Sequence, residues 1–150
     1  MTDYYTHFAV ALGDLSAKKI EYWRGYDGHR NEDGDECSCF DVRIHDDTVV
    51  LCDEDGSVVM DHVAAVLRAY LCRFRISAPA IVPYANTASR SVVDAFDGGV
   101  IVVWARREAW LTASHAGEQI AAGEEPGASV IDYATALDEL DESGGGDDTA

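Results

Sequence analysis

The sequence predicts a two-layer α+β fold: a mostly antiparallel sheet with helices on one face, in the ferredoxin-like βαββαβ order plus an extra strand. Three observations carry this expectation. Cys39–His45 alternates, with Phe40, Val42 and Ile44 on one side and Asp41 and Arg43 on the other; Asp46-Asp47 then turns the chain into Thr48–Cys52, which makes a hairpin. Val58–Phe74 places Val59, Val63, Val66, Leu67, Tyr70 and Phe74 on one helical stripe. The segments around these two read as a strand and a helix before them and two strands after them.

Tyr4–Leu12 is rich in aromatic and β-forming residues and reads as the first strand. Asp14 is placed to cap a helix over about Leu15–Arg24, which Gly25 and Gly28 end. His29–Glu36 is polar and reads as a loop. Asp53–Gly56 turns the chain after the hairpin. Ser57 is placed to cap the Val58–Phe74 helix, with Asp61 in its first turn and Arg73 and Arg75 near its end, both favourable to the helix dipole. Ala80–Tyr84 reads as a short strand near a sheet edge because of Pro83. Asn86–Gly99 reads as a long loop and Val100–Trp104 (VIVVW) as a buried strand. Arg106–Leu111 and Ser114–Ala122 read as weak helices. Residues 1–122 form one domain; residues 123–150 form an acidic, Gly-containing tail with a short amphipathic helix at 131–140 on Ile131, Ala134, Leu137 and Leu140.

A chain of 150 residues with 47% hydrophobic content supports one real core and argues against wholesale disorder. The N-terminus has no basic region followed by an apolar run, and no stretch approaches the ~20 apolar residues of a membrane span, so neither a secretory signal nor a membrane segment is expected. Four cysteines without a signal read as reduced thiols in a cytoplasm.

The charge is −17 and is unevenly placed. Asp27–Asp61 holds twelve acids and only Arg30 and Arg43; Glu118–Ala150 holds ten acids and no base. Met1–Tyr26 is neutral and His62–Gly117 is net +3. Such a chain repels nucleic acid and anionic membrane, or imitates one of them. The rival account is salt adaptation: nine Arg against two Lys, and 18 Asp against 10 Glu, suit a protein from a salt-rich cytoplasm. Clustering of the carboxylates speaks against that rival.

Motifs for chemistry are thin. Cys37-Ser-Cys39 with His29 and His45 lacks the second ligand pair of a structural zinc site, so no metal is expected. Asp53-x-Asp55-Gly56 and Asn31-x-Asp33-Gly34 look like pieces of a calcium loop, but position twelve would be His62 or Phe40 and not the bidentate Glu. Asp94 and Asp97 beside Gly98-Gly99 form a carboxylate pair in a connecting loop, and Asn86, Arg90, Arg106 and Arg107 could line a polar surface. No nucleophile elbow, zinc-protease motif or phosphate loop occurs, so no catalytic residue and no cofactor is expected.

The acidic block is the strongest functional feature. Asp33, Asp35, Glu36, Asp46, Asp47, Asp53, Glu54 and Asp55 sit in a loop and two turns and are the expected partner-binding residues. Duplex DNA carries one phosphate charge per ~1.7 Å, so ten converging net charges would match roughly 17 Å of duplex. The hairpin turn and its flanking loops point to opposite ends, so the sequence leaves open whether these residues converge.

Arg73-Phe74-Arg75 ending an amphipathic helix, then Tyr84-Ala-Asn86-Thr, Asp94-Ala-Phe96, Gly98-Gly99 and an apolar strand, form one further pattern. It resembles an uncharacterised family of small acidic proteins from phages and bacterial mobile elements, over Val58–Trp104. The family pattern has Trp at Tyr84, Cys at Ala88 and a third Gly at Asp97. The resemblance implies a mobile-element context and no chemistry.

The leading expectation is therefore a cytoplasmic, non-enzymatic interaction protein that blocks the basic nucleic-acid-binding surface of a host protein by mimicking DNA. It would bind no nucleic acid and no membrane directly, and its oligomeric state is open. The alternatives are a salt-adapted α+β domain, and a ligand-binding or enzymatic domain using the Asn86–Gly99 loop.

Overall fold

Alternation along the first strand, β1 (Tyr4–Leu12), sorts the sheet into two faces: Phe8 and Val10 are buried, while His7, Ala9 and Ala11 are exposed. A computed structural model describes residues 3–26, 40–53, 55–90 and 96–133. Its remaining elements are α1 (Ala17–Arg24), β2 (Phe40–His45), β3 (Thr48–Asp53), α2 (Met60–Arg73), β4 (Ala80–Ala88), β5 (Asp97–Trp104), β6 (Arg107–Thr112), α3 (Ala113–Ala121) and β7 (Ser129–Asp132). The fold is α+β, with one seven-stranded sheet in the order β2-β3-β1-β4-β5-β6-β7 and every pairing antiparallel.

β1 divides its partners. Tyr4–Phe8 pairs with β4, and Ala9–Leu12 pairs with β3. One face of the sheet then gathers Phe8, Val10, Phe40, Val49, Leu51, Val82, Ile101 and Val103, and α1 and α2 lie on it through Ile20, Trp23, Val63, Leu67, Tyr70 and Leu71. Each such side chain removed from water contributes about 1.5–3 kcal/mol. Where α1 and α2 meet β2, Tyr22, Trp23, Tyr26, Phe40, Tyr70 and Phe74 form an aromatic cluster; the Trp23 and Tyr70 rings are 4.9 Å apart.

Several expectations need correction. Asp14 does not cap α1; it adopts φ 55°, and the Ser16 hydroxyl accepts from the Lys19 N–H. Ser57 does not cap α2, because its N–H and hydroxyl both donate to Asp55, and the helix starts at Met60. β4 is longer than Ala80–Tyr84 and lies between β1 and β5. Pro83 is tolerated because the β1 ladder ends at Phe8↔Tyr84, one residue before it. The Asn86–Gly99 loop is strand at both ends, Asn86 pairing with Thr6 and Asp97 with Asn86. Arg106–Leu111 is not a helix. Residues from Arg107 form β6, where pairing with β5 overrides the helix-forming character of Arg, Glu, Ala and Leu. Ser129–Asp132, expected in the tail and partly in its helix, pairs with β6 instead. The rest of the helix expected at 131–140 lies outside the described residues.

Gly98-Gly99 has a structural role. Gly98 adopts φ 145°, and a Cβ there would meet the Tyr84 carbonyl oxygen at 2.6 Å. Glycine is what lets β5 approach β4 this closely.

Candidate functional site: the open face of the sheet

The acidic residues expected to bind a partner do not form one patch among the described residues. Asp33, Asp35, Glu36 and Glu54 lie outside those residues. Asp46 and Asp47 turn the chain between β2 and β3, and Asp53 ends β3, about 17 Å away at ~3.3 Å per residue. Asp46, Asp53 and Asp55 each also have a local reason to be there. Asp46 takes φ 54°, a conformation that Asp tolerates in tight turns. Asp53 accepts the Phe8 N–H at 2.9 Å, where β3 can no longer supply a backbone carbonyl, and its second oxygen holds His7 Nδ1 at 2.9 Å. Burial raises the Asp53 pKa, but these hydrogen bonds outweigh it and the net shift is downward. Asp55 is likewise held low, by the Ser57 hydroxyl and N–H.

The second face of the sheet shows a different pattern. The positions of β1, β3, β4, β5 and β6 that point away from the core include Ala9, Ala11, Val50, Cys52, Ile81, Pro83, Ala85, Val100, Val102, Trp104, Ala109 and Leu111. All of these are exposed or half-buried, and Ile81 is 61% exposed. No Asp or Glu stands at an outward position of any of these five strands. Charge returns on the flanking strands, with Asp41 and Arg43 on β2 and Asp132 on β7. Arg107, at the end of β6, lies over the Trp104 ring at 4.2 Å. α3 buries none of its residues, so it does not supply a second layer.

Two polar constellations remain, the first of them on the β1–β4 part of this same face. His7 and Asp53 border a shallow 340 Å³ depression with Phe8, Pro83, Tyr84 and Ala85, with Tyr5 stacked on the imidazole. A carboxylate on Nδ1 turns Nε2 outward, the arrangement of a positioned base. Cys52 is a poor nucleophile: burial pushes its pKa up, and Arg43 only partly offsets this. Glu108 is the buried acid, 3% exposed; one of its oxygens accepts from the Tyr133 hydroxyl and from Arg68 Nη1 at 3.4 Å, with Arg68 stacked 3.7 Å over the Tyr133 ring. This cluster ties the end of β7 to α2.

Of the carboxylate pair expected at Asp94 and Asp97, Asp94 lies outside the described residues. Asp97 supports the first turn of α3, whose N-cap is Thr112: its oxygens accept the Ser114 N–H at 3.0 Å and hydroxyl at 2.8 Å. Those bonds outweigh burial and hold its pKa low. Asn86 accepts from the Thr6 hydroxyl at 2.9 Å. Among the described residues, no group of three His, Cys, Asp or Glu side chains could hold a metal ion. Among the same residues, no helix is long and apolar enough to cross a membrane.

No family model, no curated protein and no solved structure matches this chain.

Proposed function

We propose that this chain is a non-enzymatic interaction protein that holds a protein partner on the open face of its sheet. One observation carries the reading. In a chain with 28 Asp and Glu, the outward positions of the five inner strands have none, and apolar side chains occupy most of them. A sheet face kept only for water is normally polar, and a largely apolar face on an acidic protein marks a contact surface. The order β2-β3-β1-β4, antiparallel throughout, supports reading the first six elements as a ferredoxin-like split βαβ unit that β5–β7 extend. A cytoplasmic setting and a mobile-element origin belong to the same proposal; they rest on the thiol pattern and on the resemblance over Val58–Trp104.

A second reading keeps the acidic loops as the contact surface, against the basic nucleic-acid-binding surface of a host protein. The 88% exposure of the Asp46 side chain favours it. One experiment separates the two: quantitative affinity capture from lysate with the wild-type chain, Val102→Asp, and the double variant Asp46→Lys/Asp47→Lys. The open-face reading expects Val102→Asp to lose the captured partner by about tenfold or more, with the double variant unchanged. The opposite pattern would establish the loop reading and overturn ours.

A further inference from the structure

We propose that the occupant of the open face is a second copy of this chain, packed sheet against sheet; this rests on the open-face reading above. The pattern of the strands points to it. β5 reads Val100-Ile101-Val102-Val103-Trp104, apolar on both faces, which is how a strand covered on both sides is written. β4 and β6 follow it with Ile81, Ala109 and Leu111 on the same outward face. The chain's own α1 and α2 cover the other face only.

Electrostatics points the same way. Two chains of charge −17 repel at long range, so close approach costs least where outward positions carry no Asp or Glu. The outward positions of β4, β5 and β6 form such a stretch; on its β1 side the Asp53 carboxylate is engaged by His7 Nδ1 at 2.9 Å. Its rim carries both signs, Arg107 on β6 opposite Asp132 on β7. A two-fold contact uses the same patch twice, so each patch must complement itself, and a rim of mixed sign does this. A cationic partner would instead select a rim of one sign.

Size agrees as well. Strands ~4.8 Å apart with ~3.3 Å per residue give the patch of β6, β5, β4 and the first half of β1, with β7 as its rim, a flat footprint on the order of 500 Å². Two such faces reach the roughly 1,000 Å² total that a specific association requires, at its lower end. The dimer is accordingly one that dilution can dissociate. Sheets packed this way lie ~10 Å apart, which lets Ile81, Val100, Val102 and Trp104 of the two copies interdigitate.

The test is the mass of the full chain in solution, by sedimentation velocity from about 1 μM to about 1 mM. The wild-type mass is expected to double across that range at 0.5 M salt or above, where self-repulsion is screened to within ~5 Å. Val102→Asp is expected to stay monomeric with an unchanged circular dichroism spectrum. Should Val102→Asp fail to fold, Ile81→Asp, at a 61% exposed position, takes its place. A wild-type chain that is monomeric throughout overturns the second-copy inference, as does an Asp variant that associates as the wild type does. If in addition the lysate capture of a different protein is lost in Val102→Asp, the open-face reading stands without the dimer; if Val102→Asp changes neither, both fall.

Discussion

The two faces of β4 and β5 are built from the same kinds of residue and meet different fates. Val82, Ile101 and Val103 are 0% exposed beneath α1 and α2, while Ile81, one residue from Val82, is 61% exposed and Val100 and Val102 are half-buried. Residue type alone does not assign a side chain to a core. What assigns it is whether a second layer exists on that side. The chain's two packing helices suffice for one face, and the other keeps its apolar character without a cover from α1, α2 or α3.

The comparison can be broken most sharply by truncating the two faces in parallel. Ile101→Ala is expected to cost about 2–5 kcal/mol, because it leaves a cavity in the packed layer. Ile81→Ala, on the open face, is expected to stay within about 0.5 kcal/mol. Urea denaturation of the dilute protein reads both. Similar losses at the two positions would mean that the open face is packed against this chain itself.

A smaller effect is expected from the cluster that ties β7 to the covered face. Tyr133→Phe removes the hydrogen bond to the buried Glu108, and with it about 1.5–3 kcal/mol at most. Hydrogen exchange of the β7 amides should rise before that of β5. Unchanged exchange would show that β7 is held by its ladder with β6 alone.

The smallest effects concern pH and distinguish the loops from the covered layer. Asp53, Asp55 and Asp97 have folded pKa values below the ordinary 3.8. The stability they contribute is complete above that value and is lost as pH falls through their folded values. His62 is lowered from 6.5 by burial, so its contribution is complete above pH 6.5 and declines as pH falls below it. Melting curves from pH 8 to pH 2 should show two descents. His62→Phe should remove the upper one and Asp53→Asn should weaken the lower one.

Much of the fold was legible in local pattern. The first strand is found at Tyr4–Leu12, and the Asp46-Asp47 hairpin and the α2 stripe from Val63 to Phe74 stand where alternation and helical spacing put them; Val59, expected on that stripe, is instead the exposed residue before the helix. What local pattern missed depends on distant partners. Arg107–Thr112 contains good helix formers and becomes β6 only because β5 lies beside it, and Ser129–Asp132 becomes β7 only because β6 does. The candidate site was harder to see because charge draws the eye. Asp46 and Asp53 are explained by a turn and by the Phe8 N–H. The usable signal was the doubly apolar run Val100–Trp104, which reads as buried on both sides without saying what buries it.

Oxidative footprinting of the tryptophans separates an open face covered by a second copy from a bare one. Trp104 stands on the open face and Trp110 on the covered one, with Tyr84 at 6.1 Å. The purified full chain, labelled dilute and then concentrated, should show Trp104 gaining protection while Trp110 does not change. Equal reactivity of Trp104 at both concentrations would contradict the account.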